Sequence, residues 1–164
     1  ENELSRMAGV EIDLATGGPR VDDRNATTVR GVFAAGNVVH VYDLVDDVTE
    51  SALRAGRYAA EYALKGARRS TRAVRLVPGD NVHHVVPQAI DPGSLRQEAI
   101  PIEFRVRQPI EQAVRAEIRT GDKVLVSQRL RYVRPSEMVI LSLGSWLHQR
   151  VSRAETLQVD IVPA

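Results

Sequence analysis

The chain has 164 residues, 43% hydrophobic and 26% charged, with a formal net charge of +1 and no cysteine. This length suits one ordinary domain or two small ones with a buried core, while the lack of cysteine excludes disulfides, thiolate zinc sites, cysteine-held iron–sulfur clusters and a redox dithiol on this chain. No apolar run approaches the roughly 18 residues of a membrane span, and the start ENELSRMAGVEID has neither a basic nor an apolar targeting segment, so the protein is expected in the cytoplasm.

The near-neutral total conceals two unlike halves. Residues 1–66 carry 7 basic and 11 acidic side chains, and residues 67–164 carry 15 basic and 10 acidic ones. Two domains divided at that boundary are expected, joined by the basic linker GARRSTR between Gly66 and Arg72.

In chain order, Val10–Leu14 alternates and meets the turn sequence Thr16-Gly17-Gly18-Pro19, which predicts a small hairpin or meander. Arg30–Gly36 is short and almost wholly apolar, the pattern of a strand buried on both faces of a parallel sheet. Val45–Lys65 has a helical period, with Val45, Val48, Ala52, Ala55, Ala59 and Tyr62 on the inner face and charged residues opposite. Asp46 and Asp47 near its start and Lys65 near its end suit the helix dipole, and Gly66 is a suitable stop.

Beyond the linker the period becomes two. Ile102, Phe104 and Val106 alternate with charged residues, as do Val114, Ala116 and Ile118, while Leu157, Val159 and Ile161 alternate with Gln158 and Asp160. Thr120–Lys123 should turn one strand into another over 124–133, and Met138–Leu143 supplies a further one. The expected class is α+β: a strand–loop–helix unit, then a small antiparallel β-sandwich over about residues 73–164.

A strand ending in Gly36-Asn37, a short acidic loop and a helix N-terminus with free amides together suit an oxygen-rich or electron-rich ligand. On spacing alone, an ordinary crossover without a ligand reads equally well.

The residues carry more than the spacing. T-G-G-P-x-V-D at 16–22, T-T-V-R-G-V-F-A-A-G-N at 27–37 and A-A-E-Y-A-L at 59–64 resemble the last FAD-binding segment of the two-dinucleotide-binding flavoprotein superfamily. Thioredoxin-reductase-like and pyridine-nucleotide-disulfide oxidoreductases belong to it, and the likeness spans about residues 9–65. It implies a Rossmann-like FAD-domain fragment. In that family an acidic side chain after the glycine accepts from the ribityl chain of FAD, a place held here by Gly36 and Asn37. Asn37 departs from the usual Asp but keeps an acceptor oxygen. Amides at the helix start, by position those of Val45 and Asp46, would face the flavin ring.

GNVVHVYDLVD, Arg105–Pro109 (RVRQP) and Tyr132–Met138 (YVRPSEM) also resemble bacterial FAD-dependent oxidoreductases with an added C-terminal β-domain. The implied function of the parent is electron transfer between a nicotinamide cofactor and an unknown substrate or partner. No G-x-G-x-x-G is present and no NAD(P)-binding segment is recognisable. The chain therefore reads as the C-terminal piece of a larger oxidoreductase, recombinant or left by cleavage and inactive alone, with the missing N-terminal part, and a partner subunit or second copy, as its partners. A non-catalytic assembly module built on the β-domain is the alternative.

No catalytic residue is assigned. His40, Tyr42 and Asp43 lie in the loop beside the presumed flavin edge, where His40 either positions substrate or simply bonds the loop. His83 and His84, adjacent on a strand, should point to opposite faces and make a poor metal pair, and Ser142, Ser145 and His148 lack a nucleophile-elbow context. The arginines at 105, 107, 115, 119, 129, 131 and 134 form a candidate basic face, but only Phe104, Tyr132 and Trp146 accompany them, so a solvated strand face, or docking onto the acidic first segment or another subunit, is expected rather than nucleic acid.

Overall fold

The computed structural model describes residues 2–66 and 72–164, so the inner residues of the expected linker, 67–71, lie outside the described residues. The chain divides into two compact units, Glu1–Thr71 and Arg72–Ala164, and its class is α+β.

The first unit begins with the short helix α1 (Glu3–Met7) and continues as a meander of single antiparallel bridges, Ile12 to Pro19, Val21 to Thr27 and Ala26 to Phe33. The reversal expected at Thr16–Pro19 forms: Gly17 N–H donates to Asp13 O and Asp13 N–H to Gly18 O, both at 2.8 Å. Gly18 has a packing role beyond the turn. A Cβ there would overlap the backbone carbonyls of Val38 and Val39, so only glycine lets the hairpin lie against that loop.

The doubly buried strand expected over Arg30–Gly36 does not form. Gly31 (φ +81°) belongs to a turn, Phe33 makes a single bridge, and Gly36 (φ +68°) already opens a 3₁₀ turn, Gly36–Val38. A run of apolar residues becomes such a strand only between flanking strands, and among the described residues its bridge partner is Ala26 alone.

Helix α2 (Val45–Lys65) has the expected bounds, with Asp46 and Asp47 in its first turn and Lys65 in its last. Lys65 reaches Glu61 at 3.6 Å, and Gly66 (φ +76°) ends the helix with its N–H donating to Tyr62 O at 2.8 Å. The buried stripe is rotated from the expected one. Ser51, Ala55 and Tyr58 are buried, with Val48, Ala59 and Tyr62 half-buried, whereas Ala52 is exposed and Val45 is 79% exposed. The reason is chemical: the wall opposite α2 offers polar backbone and Asn25, which the Ser51 hydroxyl can satisfy and an alanine methyl cannot.

The second unit contains β1 (Val74–Pro78), β2 (Val82–Val86), β3 (Ala89–Ile90), β4 (Ile100–Val106), β5 (Val114–Thr120), β6 (Lys123–Leu130), β7 (Val139–Leu143), the short helix α3 (His148–Val151) and β8 (Thr156–Pro163). They form a five-stranded sheet of order β3-β1-β8-β5-β6 and a three-stranded sheet of order β2-β4-β7. The purely antiparallel expectation is corrected at one ladder, where β1 runs parallel to β8, Arg75 opposite Thr156 and Pro78 opposite Val159. Parallel neighbours need a long crossover; here everything between the first and last strands of the unit supplies it.

The alternation in β4, β5 and β8 delivers the core. Ile102 lies opposite Leu141 and Ile100 opposite Leu143, and with Phe104, Leu76, Ala116, Ile118, Leu157 and Val159 they make one buried cluster drawn from both sheets. Thr120–Lys123 turns β5 into β6 with Gly121 at φ +54°. A polar brace sits at the start of β2: Asp160 Oδ1, on a residue 1% exposed, accepts from Asp80 N–H and Gln158 Nε2, each at 2.8 Å. A Cβ on Gly79 would overlap that carboxylate.

His83 is exposed and His84 buried, as expected of opposite faces, yet their rings still approach each other edge to face. The register of β2 against β4 shifts between Val82 and His84, and the two Nδ1 atoms lie 3.0 Å apart. A bulge places an extra residue in one strand and breaks the strict alternation of faces. Among the described residues no helix is long and apolar enough to cross a membrane.

Candidate functional site

The 3₁₀ turn that holds Gly36 and Asn37 packs against α2, whose first turn carries Val45 and Asp46. Gly36 adopts φ +68°, a conformation natural to glycine, and a Cβ there would stand 3.3 Å from Val48 Cγ1. Its N–H donates to Ser51 Oγ at 3.2 Å. The same hydroxyl oxygen is 3.4 Å from Asn25 Nδ2, which also donates to Ala34 O at 3.0 Å. Asn25 and Ser51 are 4% and 1% exposed, so this is a buried polar brace tying the end of the Ala34–Gly36 segment to the second turn of the helix.

Asn37 is exposed, and its Oδ1 accepts the Tyr42 N–H at 3.1 Å, closing the loop over 37–42. The acceptor anticipated for a ligand is thus partly committed to the protein itself. A carboxamide oxygen has a second acceptor position and its nitrogen two donors. His40 (3% exposed) and Tyr42 (8%) fill the loop from inside, ring centroids 4.4 Å apart and edge to face. Asp43 is exposed. Buried in this way, His40 has the surroundings of a residue that supports the loop.

Leu44 precedes α2 in extended geometry (φ −118°, ψ 142°), and as the cap residue it makes no side-chain hydrogen bond to the helix. The first amides of a helix have no acceptor within it, and here Leu44 and Val45 are 62% and 79% exposed, leaving the mouth open in this unit. Asp46 and Asp47 already place negative charge on the first turn. That favours an uncharged hydrogen-bond acceptor, such as a ring carbonyl, over a phosphate.

The arginines expected to make a basic face differ among themselves. Arg115, Arg129 and Arg131 are exposed. Arg134 instead grips Glu111 through two bonds of 2.9 and 3.0 Å, reaches Glu137 at 3.3 Å and lies 4.5 Å from the Tyr132 ring centroid. The paired carboxylate holds Arg134 above its ordinary pKa, and the guanidinium bond holds the Glu111 carboxyl below its own. Among the described residues no group of three or more His, Cys, Asp or Glu is placed to hold a metal.

The sequence patterns did not single out Asn25 or Ser51, and gave Gly18 only a role in the turn. The one visible signal was a serine amid the alanines of α2. No protein-family profile, no curated protein and no solved structure matches this chain.

Proposed function

We propose that the chain supplies the flavin-facing segment of a cytoplasmic FAD-dependent oxidoreductase that passes electrons between a nicotinamide cofactor and a further substrate or partner protein. In this reading residues 1–66 are the terminal portion of a Rossmann-like FAD domain, and the β unit is an appended domain. The observation that carries it is the brace from Gly36 through Ser51, which fixes the G-V-F-A-A-G-N segment against an exposed helix start.

The residues fit the group. Gly36 lets a ligand approach the backbone; Asn37 offers its amide donors and remaining lone pair to ribityl hydroxyls; the Val45 and Asp46 amides would donate to a carbonyl of the ring. FAD, when bound, supplies the reversible uptake of hydride or electrons. The chain's own part is to bind and orient, with His40 and Tyr42 stiffening the loop. The adenosine end of the cofactor, for which this sequence has no G-x-G-x-x-G, would be held by another segment or chain.

Absorption spectroscopy of the protein isolated in its native assembly tests this. A yellow preparation bleached by NADH or NADPH, releasing FAD on denaturation, supports the reading. A colourless preparation that added FAD does not reconstitute would favour the β unit as an assembly module.

A further inference from the structure

A second recessed site lies at the other end of α2. A cavity of about 140 Å³ opens in the first unit between the Asp22–Phe33 segment and the last turns of the helix, walled by Arg24, Arg30, Phe33, Tyr58 and Tyr62. With a rise of about 1.5 Å per residue, Tyr58 and Tyr62 lie roughly 20–25 Å along the helix from Val45, so this site is separate from the one above.

Its composition is unlike the rest of the chain. The protein has 2 Phe, 4 Tyr and 1 Trp, and three of these rings converge here. Phe33 and Tyr62 meet edge to face at 6.0 Å, and the Arg24 guanidinium lies 5.5 Å from the Tyr58 centroid. Gly31 presses its backbone on Tyr62, where a Cβ would fall 3.2 Å from the ring, so glycine keeps that wall thin.

The lining carries two arginines, Arg24 and Arg30, and two carboxylates, Asp22 and Glu61. Asp22 Oδ1 accepts the Arg24 and Ala26 backbone amides at 2.9 Å, and Glu61 pairs with Lys65 at 3.6 Å. Arg30 stands exposed at the rim. An apolar, ring-lined recess with guanidinium groups at its edge suits a flat ring that carries an anion.

We propose that this cavity binds a planar aromatic carboxylate, with its ring among Phe33, Tyr58 and Tyr62 and its carboxylate toward Arg30. The recess of about 140 Å³, open on one side, has room for one substituted ring.

Saturation-transfer NMR and titration calorimetry on the full chain test it, using benzoate and its neutral isostere benzamide. Benzoate should bind about tenfold more tightly than benzamide, the step expected of one charge-assisted contact. Arg30→Gln, at an exposed position, should leave the melting temperature unchanged and reduce benzoate binding to the benzamide level. Equal binding of the two probes, no binding of either, or undiminished benzoate binding by Arg30→Gln would each overturn the proposal. Because none of these readouts uses flavin, they stand apart from the fate of the oxidoreductase reading.

Discussion

The Gly36 N–H donates to Ser51 Oγ at 3.2 Å, and Ser51 is 1% exposed. This bond fastens the end of an apolar segment to the second turn of the helix that follows it, and with the bond from Asn25 it makes the loop between them a held structure. Ser51→Ala leaves the Gly36 N–H and one Asn25 donor bond unsatisfied in a buried place. The expected cost is about 1–3 kcal/mol, read as a fall in the urea midpoint at unchanged slope. A loss within error would show that the brace contributes nothing.

Gly36→Ala tests the same corner through its backbone. A left-handed φ costs a non-glycine residue roughly 1–2 kcal/mol, and the new methyl meets Val48 Cγ1 at 3.3 Å. Adding Val48→Ala should recover the steric part and leave the conformational part. Full recovery in the double variant would place the whole cost in the contact.

In the β unit, Gly79 and Asp160 should behave as a coupled pair, because the Cβ absent from Gly79 would occupy the space of the Asp160 carboxylate. Gly79→Ala should destabilise by about 1–3 kcal/mol in the wild type and by clearly less when Asp160→Ala has removed the obstacle. Strict additivity in denaturation would contradict this coupling.

Much of the architecture could be read from periodicity, and the failures have physical causes. The bounds of α2 follow from three- and four-residue spacing closed by Gly66, and β4, β5 and β8 from their alternation. Periodicity does not report partners. The parallel ladder of β1 with β8 joins residues about as far apart as the unit allows, and the apolar run 30–36 could become a strand only with neighbours that the pattern does not contain. The helix face was misjudged because hydrophobicity ranks Val45 above Ser51, while the opposite wall is polar. At the candidate site, Gly36, Asn37, Val45 and Asp46 were named from motif and position. The Asn25–Ser51 contact spans 26 residues with no local signature, and the His83–His84 contact depends on a bulge that strand alternation hides.

Acid should act on the Arg134 cluster with a defined sign. Glu111 is held below its ordinary value of about 4.5 by its bond to Arg134, so the pairing contributes fully above that value and is lost as pH falls through the lower, folded one. The melting-temperature difference between wild type and Glu111→Gln should therefore be constant from neutral pH down to about 4.5 and shrink below it. Salt should shrink it as well, because the pair is exposed. A difference that grows on acidification would reverse the assignment.

The central claim concerns the open amides at the start of α2, and Val45→Pro addresses it directly. Proline is well tolerated at the first helical position, and the extended Leu44 before it is compatible, so the substitution deletes one N–H while sparing the helix. Measured on the protein in its native assembly, the account predicts unchanged far-UV circular dichroism and melting of the apoprotein, with FAD held about tenfold more weakly or lost. Undiminished flavin content with an intact helix would contradict it.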